Sequence, residues 1–324
     1  MRLGRRGIMG LGLAAGAAGL LGQGDRPAMA AAPLQGAQAP GFYRIKVGEI
    51  EVTLVNDGAA TRPLAEGFVR NAPLADVQKT LAAAFQPTGT LTIPFTTAVI
   101  NNGTKLVMID AGNGEMGAPG TGRWQANFAA AGHTPDQVDT IILSHFHGDH
   151  INGIRAKDGS AIFPNAEIMV PEAEWAFWMD DGRMAQAPEG LKPGFQAVRR
   201  VFGPIAKDVT AYAGEKELVT GVTTVPAPGH TPGHTAFVVA SGAERLLLWS
   251  DTTNKPELFV RNPGWHATFD MDPVQAEATR RRMLDMAAAE GMQVAGYHFP
   301  FPATGFISRE QGSYAFVPVF WQAA

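Results

Sequence analysis

"SHFHGDHINGI", residues 144–154, crowds His145, His147, Asp149 and His150 together in a 324-residue chain that has eight histidines in all. The segment closes an apolar run, "VDTIILSH" (138–145), that reads as a buried strand. In extended backbone alternate side chains share a face, so His145 and His147 point to one place as the strand gives out. Gly148 lets the chain turn, and Asp149 and His150 then face a second place beside the first. Four ligand groups on one loop suit two ions better than one. Two ions need more than four ligands, and three further candidates follow at the ends of apolar segments: His230 in "PAPGHTPGHT", Asp251 closing "ERLLLWSD" and His298 near the end of "MQVAGYHF". His234 lies in the same loop as His230, and by spacing alone either of the two could be the ligand.

Outward from this loop the chain alternates strand and helix patterns. "IEVTLVNDG" (50–58), "TKLVMIDAG" (104–112), "AEIMVP" (166–171) and "HTAFVVAS" (234–241) read as strands, and "LADVQKTLAAAF" (74–85) has helical spacing. A second helix over 272–291 has Asp272 as N-cap, Pro273 in the first turn and Gly291 as stop. Strands mixed with helices in both halves predict an α/β fold with two sheets in the middle and helices outside. No linker or short repeat interrupts residues 45–324, which read as one domain.

Residues 1–30 differ. Arg2, Arg5 and Arg6 precede a Gly/Ala/Leu stretch, and Ala28-Met29-Ala30 resembles a cleavage site, the pattern of a secretory leader; residues 31–44 then form a linker. The run from Ile8 to Leu21 is too short and too glycine-rich to favour a stable membrane anchor. The paired arginines resemble a twin-arginine signal, whose route exports folded proteins, so an exported, periplasmic or secreted protein is expected. Loss of Arg2, Arg5, Arg6 and Arg26 together with Asp25 removes a net charge of +3 and takes the formal charge from -4 to -7. An acidic body argues against nucleic acid as a partner. There is no cysteine, which excludes disulfides, thiolate catalysis and sulfur-ligated metal. Any metal is held by nitrogen and oxygen.

The ordered set "SHFHGDH", "PGHTPGHT", "SD" after an apolar strand and a late strand-end histidine resembles the motifs of the metallo-β-lactamase superfamily, and "IDAG" (109–112) resembles its Asp-containing turn. "NAPLADVQKTLAAAF", "FPNAEIMVPEAEWAFW" and "SYAFVPV" place the similarity closest to the methyl parathion hydrolase-like branch. The resemblance implies a four-layer αββα sandwich of two mixed sheets flanked by helices. It implies that His145, His147 and His230 hold one divalent ion, that Asp149, His150 and His298 hold another, and that Asp251 bridges them. It favours His230 over His234 as ligand, leaving His234 to pack or to support a ligand, and Asp110 is expected to orient a ligand histidine. Zinc is the default ion, although an all-nitrogen-and-oxygen site also accepts manganese, iron or cobalt. A homodimer is implied as well; the apolar tail "YAFVPVFW" (314–321) reads equally as its interface or as a final core strand.

Two ions ~3.5–4 Å apart share a water, lower its pKa and polarise the oxygen under attack. The expected reaction is therefore hydrolysis of an ester-type small molecule: an aryl ester, a lactone or a phosphotriester of the parathion type. Asp149 and Asp251 are the expected catalytic carboxylates, Asp149 also passing a proton to the leaving group. Trp175, Trp178 and Phe195, with Trp124 and Phe128 upstream, read either as core or as an apolar mouth for the substrate. Two alternatives stand beside this reading. An acyl-homoserine lactonase of the best-known type has a tyrosine soon after the bridging aspartate, and "SDTTNKPELF" offers none. A mononuclear iron enzyme that oxidises a sulfur substrate would use part of the same ligand set.

Overall fold

The computed structural model describes residues 38–322, together with residues 32, 34 and 36. The leader assigned to residues 1–30 lies outside the described residues. From Ala39 onward the chain is one compact unit. Seven strands, β1 (Phe42–Val47), β2 (Ile50–Pro63), β3 (Thr90–Asn101), β4 (Leu106–Ile109), β5 (Thr140–Ile142), β6 (Glu167–Pro171) and β7 (Val209–Tyr212), form a first sheet in sequence order. The second sheet runs from β14 (Ser313–Pro318) through β13 (Thr304–Glu310), β12 (Gln293–Gly296), β11 (Glu244–Ser250), β10 (Thr235–Ser241) and β9 (Val222–Pro226) to β8 (Glu217–Val219). Both are mixed: β4 to β7 pair in parallel, as do β11 and β12, and the remaining pairs are antiparallel.

The period of two along each strand sorts its residues into layers. In β4, Val107 and Ile109 face the second sheet, where they join Phe237, Leu246 and Leu248, while Leu106 and Met108 face the opposite way. That outer face is covered by α2 (Trp124–Ala130), α4 (Glu172–Trp178) and α6 (Lys192–Phe202), which contribute Phe128, Trp178, Phe195 and Phe202. The outer face of the second sheet is covered by α8 (Pro273–Glu290) through Met283, Leu284 and Ala287. The result is the expected αββα sandwich. The helices α1 (Leu74–Ala83), α3 (Gly148–Ile151), α5 (Asp181–Gln186) and α7 (Pro256–Phe259) lie in the connections.

Four segments depart from their sequence reading. The strand expected over 138–145 is regular only in β5, so His145 stands in the loop beyond it. The strand expected over 292–299 ends at Gly296, where the parallel pairing with β11 shifts register between Leu248 and Ser250, and this frees His298 to turn toward the cleft. β3 has no counterpart among the expected strands because Pro94 interrupts its pattern; the structure accommodates it opposite Ala59, beside a bulge in β2 between Asn56 and Ala59. The tail forms an edge strand, β14, that is only half-buried, and Phe320 and Trp321 beyond it are exposed.

Candidate metal centre

The loop after β5 is fixed before any ligand is considered. Asp110, in the turn after β4, has a left-handed backbone (φ 62°) and is almost fully buried. Its carboxylate accepts from Ser144 N and Ser144 Oγ, both at 2.8 Å, and sits 2.8 Å from His150 Nδ1. That contact uses the Nδ1 proton of His150 and turns Nε2 into the cleft. Ser144 Oγ likewise lies 2.9 Å from His145 Nδ1. His147 is the N-cap of α3, in extended conformation, and Asp149 and His150 follow in its first turn.

Three side chains arrive from the second sheet. His230 comes from the loop between β9 and β10, Asp251 directly follows β11, and His298 lies in the turn after β12. They complete two groups whose ligand atoms lie within 4.8 Å of one another: His145, His147, His230 and Asp251 in one, Asp149, His150 and His298 in the other. Asp251 stands between them. Its Oδ2 is 3.2 Å from His230 Nε2 and 3.1 Å from His298 Nε2, and its Oδ1 is 3.4 Å from His150 Nε2. His298 Nδ1 donates to Pro94 O at 2.9 Å, which turns its Nε2 inward.

All seven predicted residues thus meet in one cleft, with Asp110 in contact with His150 and His234 beside Asp251. His234 has neither nitrogen free, since Nδ1 donates to Ala227 O at 2.9 Å and Nε2 accepts from Asp251 N at 3.0 Å. It orients Asp251. The predicted mouth is displaced: Trp178 and Phe195 are buried in the core between α4, α6 and the first sheet, Trp175 packs against that core, and Trp124 and Phe128 stack on one another at 4.3 Å in the same layer. The apolar face of α4 is turned toward the sheet, so these rings fill the interior. The cleft opens instead into a cavity of about 420 Å3 walled by Ile93, Phe95, Met116 and Phe269, with Arg62 and Asn254 among its polar groups.

Several contributors carried no sequence signal. Asp270 lies 3.0 Å from His230 Nδ1 and is itself paired with Arg280 at 2.9 Å. Glu174, fully buried, accepts from Phe146 N at 2.9 Å and Gly233 N at 2.7 Å, one from each ligand loop, and from Trp178 Nε1 at 2.9 Å. The approach at Gly233 requires glycine, because a Cβ there would stand 2.6 Å from Glu174 N. The ring of Tyr297 stacks on His150 at 3.9 Å and its hydroxyl donates to Asp149 O at 2.5 Å. Asp57 in the β2 bulge accepts from Asn113 N, Asn113 Nδ2 and Trp124 N at 2.7 to 2.9 Å, which holds the loop that carries the cavity residue Met116.

The electrostatics follow from burial and mutual contact. Burial, reinforced by the facing His230, holds His147 down to about 3. For His230 burial acts downward too, but Asp251 and then Asp270 overcome it and raise the imidazole to about 9. Burial would raise Asp149, yet His150 and His298 overcome it and bring the carboxyl down to about 2. A buried cluster of this kind calls for cations. Nε2 of His145, Nε2 of His150 and Oδ1 of Asp251 have no hydrogen-bond partner among the described residues, and each is directed toward the cleft. Imidazole nitrogen and carboxylate oxygen are also the donor set that zinc and its divalent neighbours accept. The residues present therefore fit divalent metal binding.

An αββα sandwich with histidines and aspartates gathered at one edge of its paired sheets defines a class of metal-site proteins. The chain belongs to the metallo-beta-lactamase superfamily, whose sequence pattern matches residues 94–292. It is 33% identical over 132 residues to a probable metallo-hydrolase of Mycobacterium tuberculosis, covering 37% of this chain and 38% of that protein. To an N-acyl homoserine lactonase of Bacillus thuringiensis it is 26% identical over 160 residues, covering 49% and 55%. The chain thus spans less than two-thirds of the length of these curated relatives. Two solved structures superpose more completely. The dizinc quorum-quenching lactonase AidC, in complex with a product, is 26% identical with a TM-score of 0.83 over 87% of this chain and 99% of that one. The hydrolase AbOPH of the beta lactamase superfamily is 27% identical with a TM-score of 0.82 over 89% and 100%.

Proposed function

We propose that the chain is a dinuclear metal-dependent hydrolase of ester-type small molecules, with lactones as its leading substrates and aryl esters and phosphotriesters accepted beside them. The observation that carries this reading is the pair of adjacent ligand groups, each with an unsatisfied buried nitrogen, in which Asp251 of the first group also lies 3.4 Å from His150 and 3.1 Å from His298 of the second. Both groups are complete, which favours two ions over the single iron of an oxygenase. The similarity to lactonases supports a lactone; the segments resembling the methyl parathion hydrolase-like branch support the phosphotriester.

The chemistry that two ions supply when bound is Lewis-acid activation of a water and of the ester carbonyl. The protein's own groups do the rest. Asp251 fixes the separation of the two ligand groups, while Asp110 and Asp270 hold His150 and His230 with one nitrogen turned inward. Asp149, whose side chain is 24% exposed against 4% for Asp251, is the carboxylate with access to the cavity and is placed to carry a proton to an alkoxide leaving group. A lactone needs that proton and an aryl ester does not. The apolar wall of Ile93, Phe95 and Phe269 excludes water from an acyl chain.

Metal analysis together with a rate panel of lactones, aryl esters, phosphotriesters and β-lactams tests the reading. Two ions per chain and a lactone rate that vanishes in Asp251→Ala are expected. One iron with oxygen consumption, or β-lactams ranking first, would overturn it. We also infer that residues 1–30 are an export leader, which N-terminal sequencing of the secreted protein checks: a mature chain that still begins at Met1 contradicts it.

A further inference from the structure

Arg62 stands on the wall of the cavity that holds His147, Asp149, His230, Asp251 and His298. In extended backbone alternate residues share a face, so Arg62 projects on the same side of β2 as Ala60, whose cross-strand partner is Ile93. Ala60 and Ile93 line that cavity as well. The guanidinium carbon lies 4.6 Å from the ring centre of Phe269, another wall residue, and 5.8 Å from that of Phe68. Stacking of this kind holds the planar cation by one face and leaves the N–H groups at its edge directed away from the ring. Whereas the buried Arg280 is paired with Asp270 at 2.9 Å, Arg62 has no ion pair and no side-chain hydrogen bond among the described residues. Burial acts against its charge and Asp149 supports it, but Asp149 Oδ2 is engaged elsewhere, 3.4 Å from His150 Nε2 and 3.5 Å from His298 Nε2. Among the described residues Arg62 is the one arginine or lysine on the cavity wall, and it is exposed where Ile93 and Phe95 are buried. It therefore marks the outer end of the apolar wall.

We propose that Arg62 is a specificity residue that binds a carboxylate at the far end of the substrate, selecting esters and lactones whose carbon chain ends in an acid. The inference rests on the hydrolase reading above. A carboxylate matches the planar fork of a guanidinium with two parallel hydrogen bonds, and a cation already fixed on an aromatic face loses little freedom in forming them. The chain between the two ends of the substrate packs on Ile93, Phe95 and Phe269. A neutral chain gains that apolar contact alone, and one that ends in a carboxylate gains the ion pair in addition. The ion pair is remote from the bond that breaks and equally strong in ground state and transition state, so it acts on KM and leaves kcat unchanged.

The test uses the zinc-loaded wild type, Arg62→Gln and Arg62→Glu with the mono-p-nitrophenyl esters of adipic, suberic and sebacic acid, each beside the ester in which a primary amide replaces the free carboxylate. For at least one chain length the wild type is expected to show a KM about tenfold lower for the acid than for the amide, with kcat alike. Arg62→Gln should bring the two KM values together by raising that of the acid alone, and Arg62→Glu should invert their order, both with zinc content and Tm retained. Equal KM values for acid and amide at every chain length in the wild type, or a preference that survives in Arg62→Gln, would overturn the assignment while leaving the hydrolase reading intact. A fall in kcat on acid and amide alike in Arg62→Gln would overturn it too, by making Arg62 a support for Asp149. Absence of turnover on these esters and on lactones in the wild type would instead remove the hydrolase reading, and this inference with it.

Discussion

Single residues set which nitrogen each histidine offers and how readily it gives up its proton. Asp110 accepts from His150 Nδ1, so Asp110→Asn would weaken the hold on that tautomer and on the loop that Ser144 fastens to the same carboxylate. Calorimetric titration with zinc should show affinity for the His150 group falling about 10- to 100-fold, with the His145 group much less affected; equal affinities for variant and wild type would contradict the role. His230 gives a pH prediction. In the metal-free protein its pKa is about 9, raised above its unfolded value by Asp251 and Asp270 against the opposing effect of burial. Its ion pairs thus stabilise the fold fully below pH ~6.5, and that contribution disappears as pH rises through 9. A cation must displace this proton, so zinc affinity should rise with pH by about one decade per unit or more between pH 7 and 9 and then flatten. Titrations in buffers of different ionisation enthalpy count the protons released, and a pH-independent affinity would refute the linkage. His145, His147, Asp149 and His150 stood out in the sequence because they share one short loop, whereas the choice of His230 over His234 and the role of Asp110 came only from the family resemblance. Asp270 and Glu174 did not stand out, since each reaches its histidine or loop from a segment that only the fold brings near.

At the scale of elements, α4 shows why an amphipathic pattern does not say which surface it faces. Trp175 and Trp178 at helical spacing suit a substrate mouth and a core equally, and the structure uses Trp178 to fill the layer behind the first sheet while its Nε1 donates to Glu174. The two partners of that bond should therefore behave differently when changed. Trp178→Phe keeps most of the volume and removes a single bond, so urea denaturation should show a loss of about 1 kcal/mol and KM should stay the same. Glu174→Gln puts an amide N–H among donors from Phe146 and Gly233, one from each ligand loop. Zinc affinity should fall about tenfold or more, with the far-UV spectrum retained. A raised KM in Trp178→Phe would return the ring to the mouth, and an undisturbed zinc affinity in Glu174→Gln would reduce the carboxylate to packing. β3 makes the complementary point. β3 was not among the expected strands, and Pro94, a residue that strand interiors disfavour, sits opposite Ala59 beside the bulge in β2; yet Pro94 O is the group that orients His298. The irregularity serves the site.

Across the whole domain, the ligands divide by sheet: His145, His147, Asp149 and His150 follow β5 of the first, and His230, Asp251 and His298 come from the second. Two layers that meet through apolar contacts such as Val107 and Ile109 against Phe237 and Leu248, and through polar ones such as Ser144 Oγ with Ser250 Oγ at 2.9 Å, would be joined further by metal at the open edge. This division was visible as ligand order along the chain, while the closeness of the two groups, with Asp251 within 3.4 Å of histidines from both, required the register of the strands. Metal should accordingly act as a cross-link between sheets, and each site filled at a thousandfold its dissociation constant adds about 4 kcal/mol to stability. Chelation should lower Tm by about 10 °C or more, while the chain stays folded because the His230 pairs with Asp251 and Asp270 persist without metal at neutral pH. Variants separate the two contributions: His298→Ala, which touches one group, should lose part of the zinc-induced rise in Tm, and Asp251→Ala, which touches both, should lose most of it. Calorimetric scans with and without zinc check the order; if His298→Ala and Asp251→Ala lost the same share, the shared position of Asp251 between two ions would be disproved.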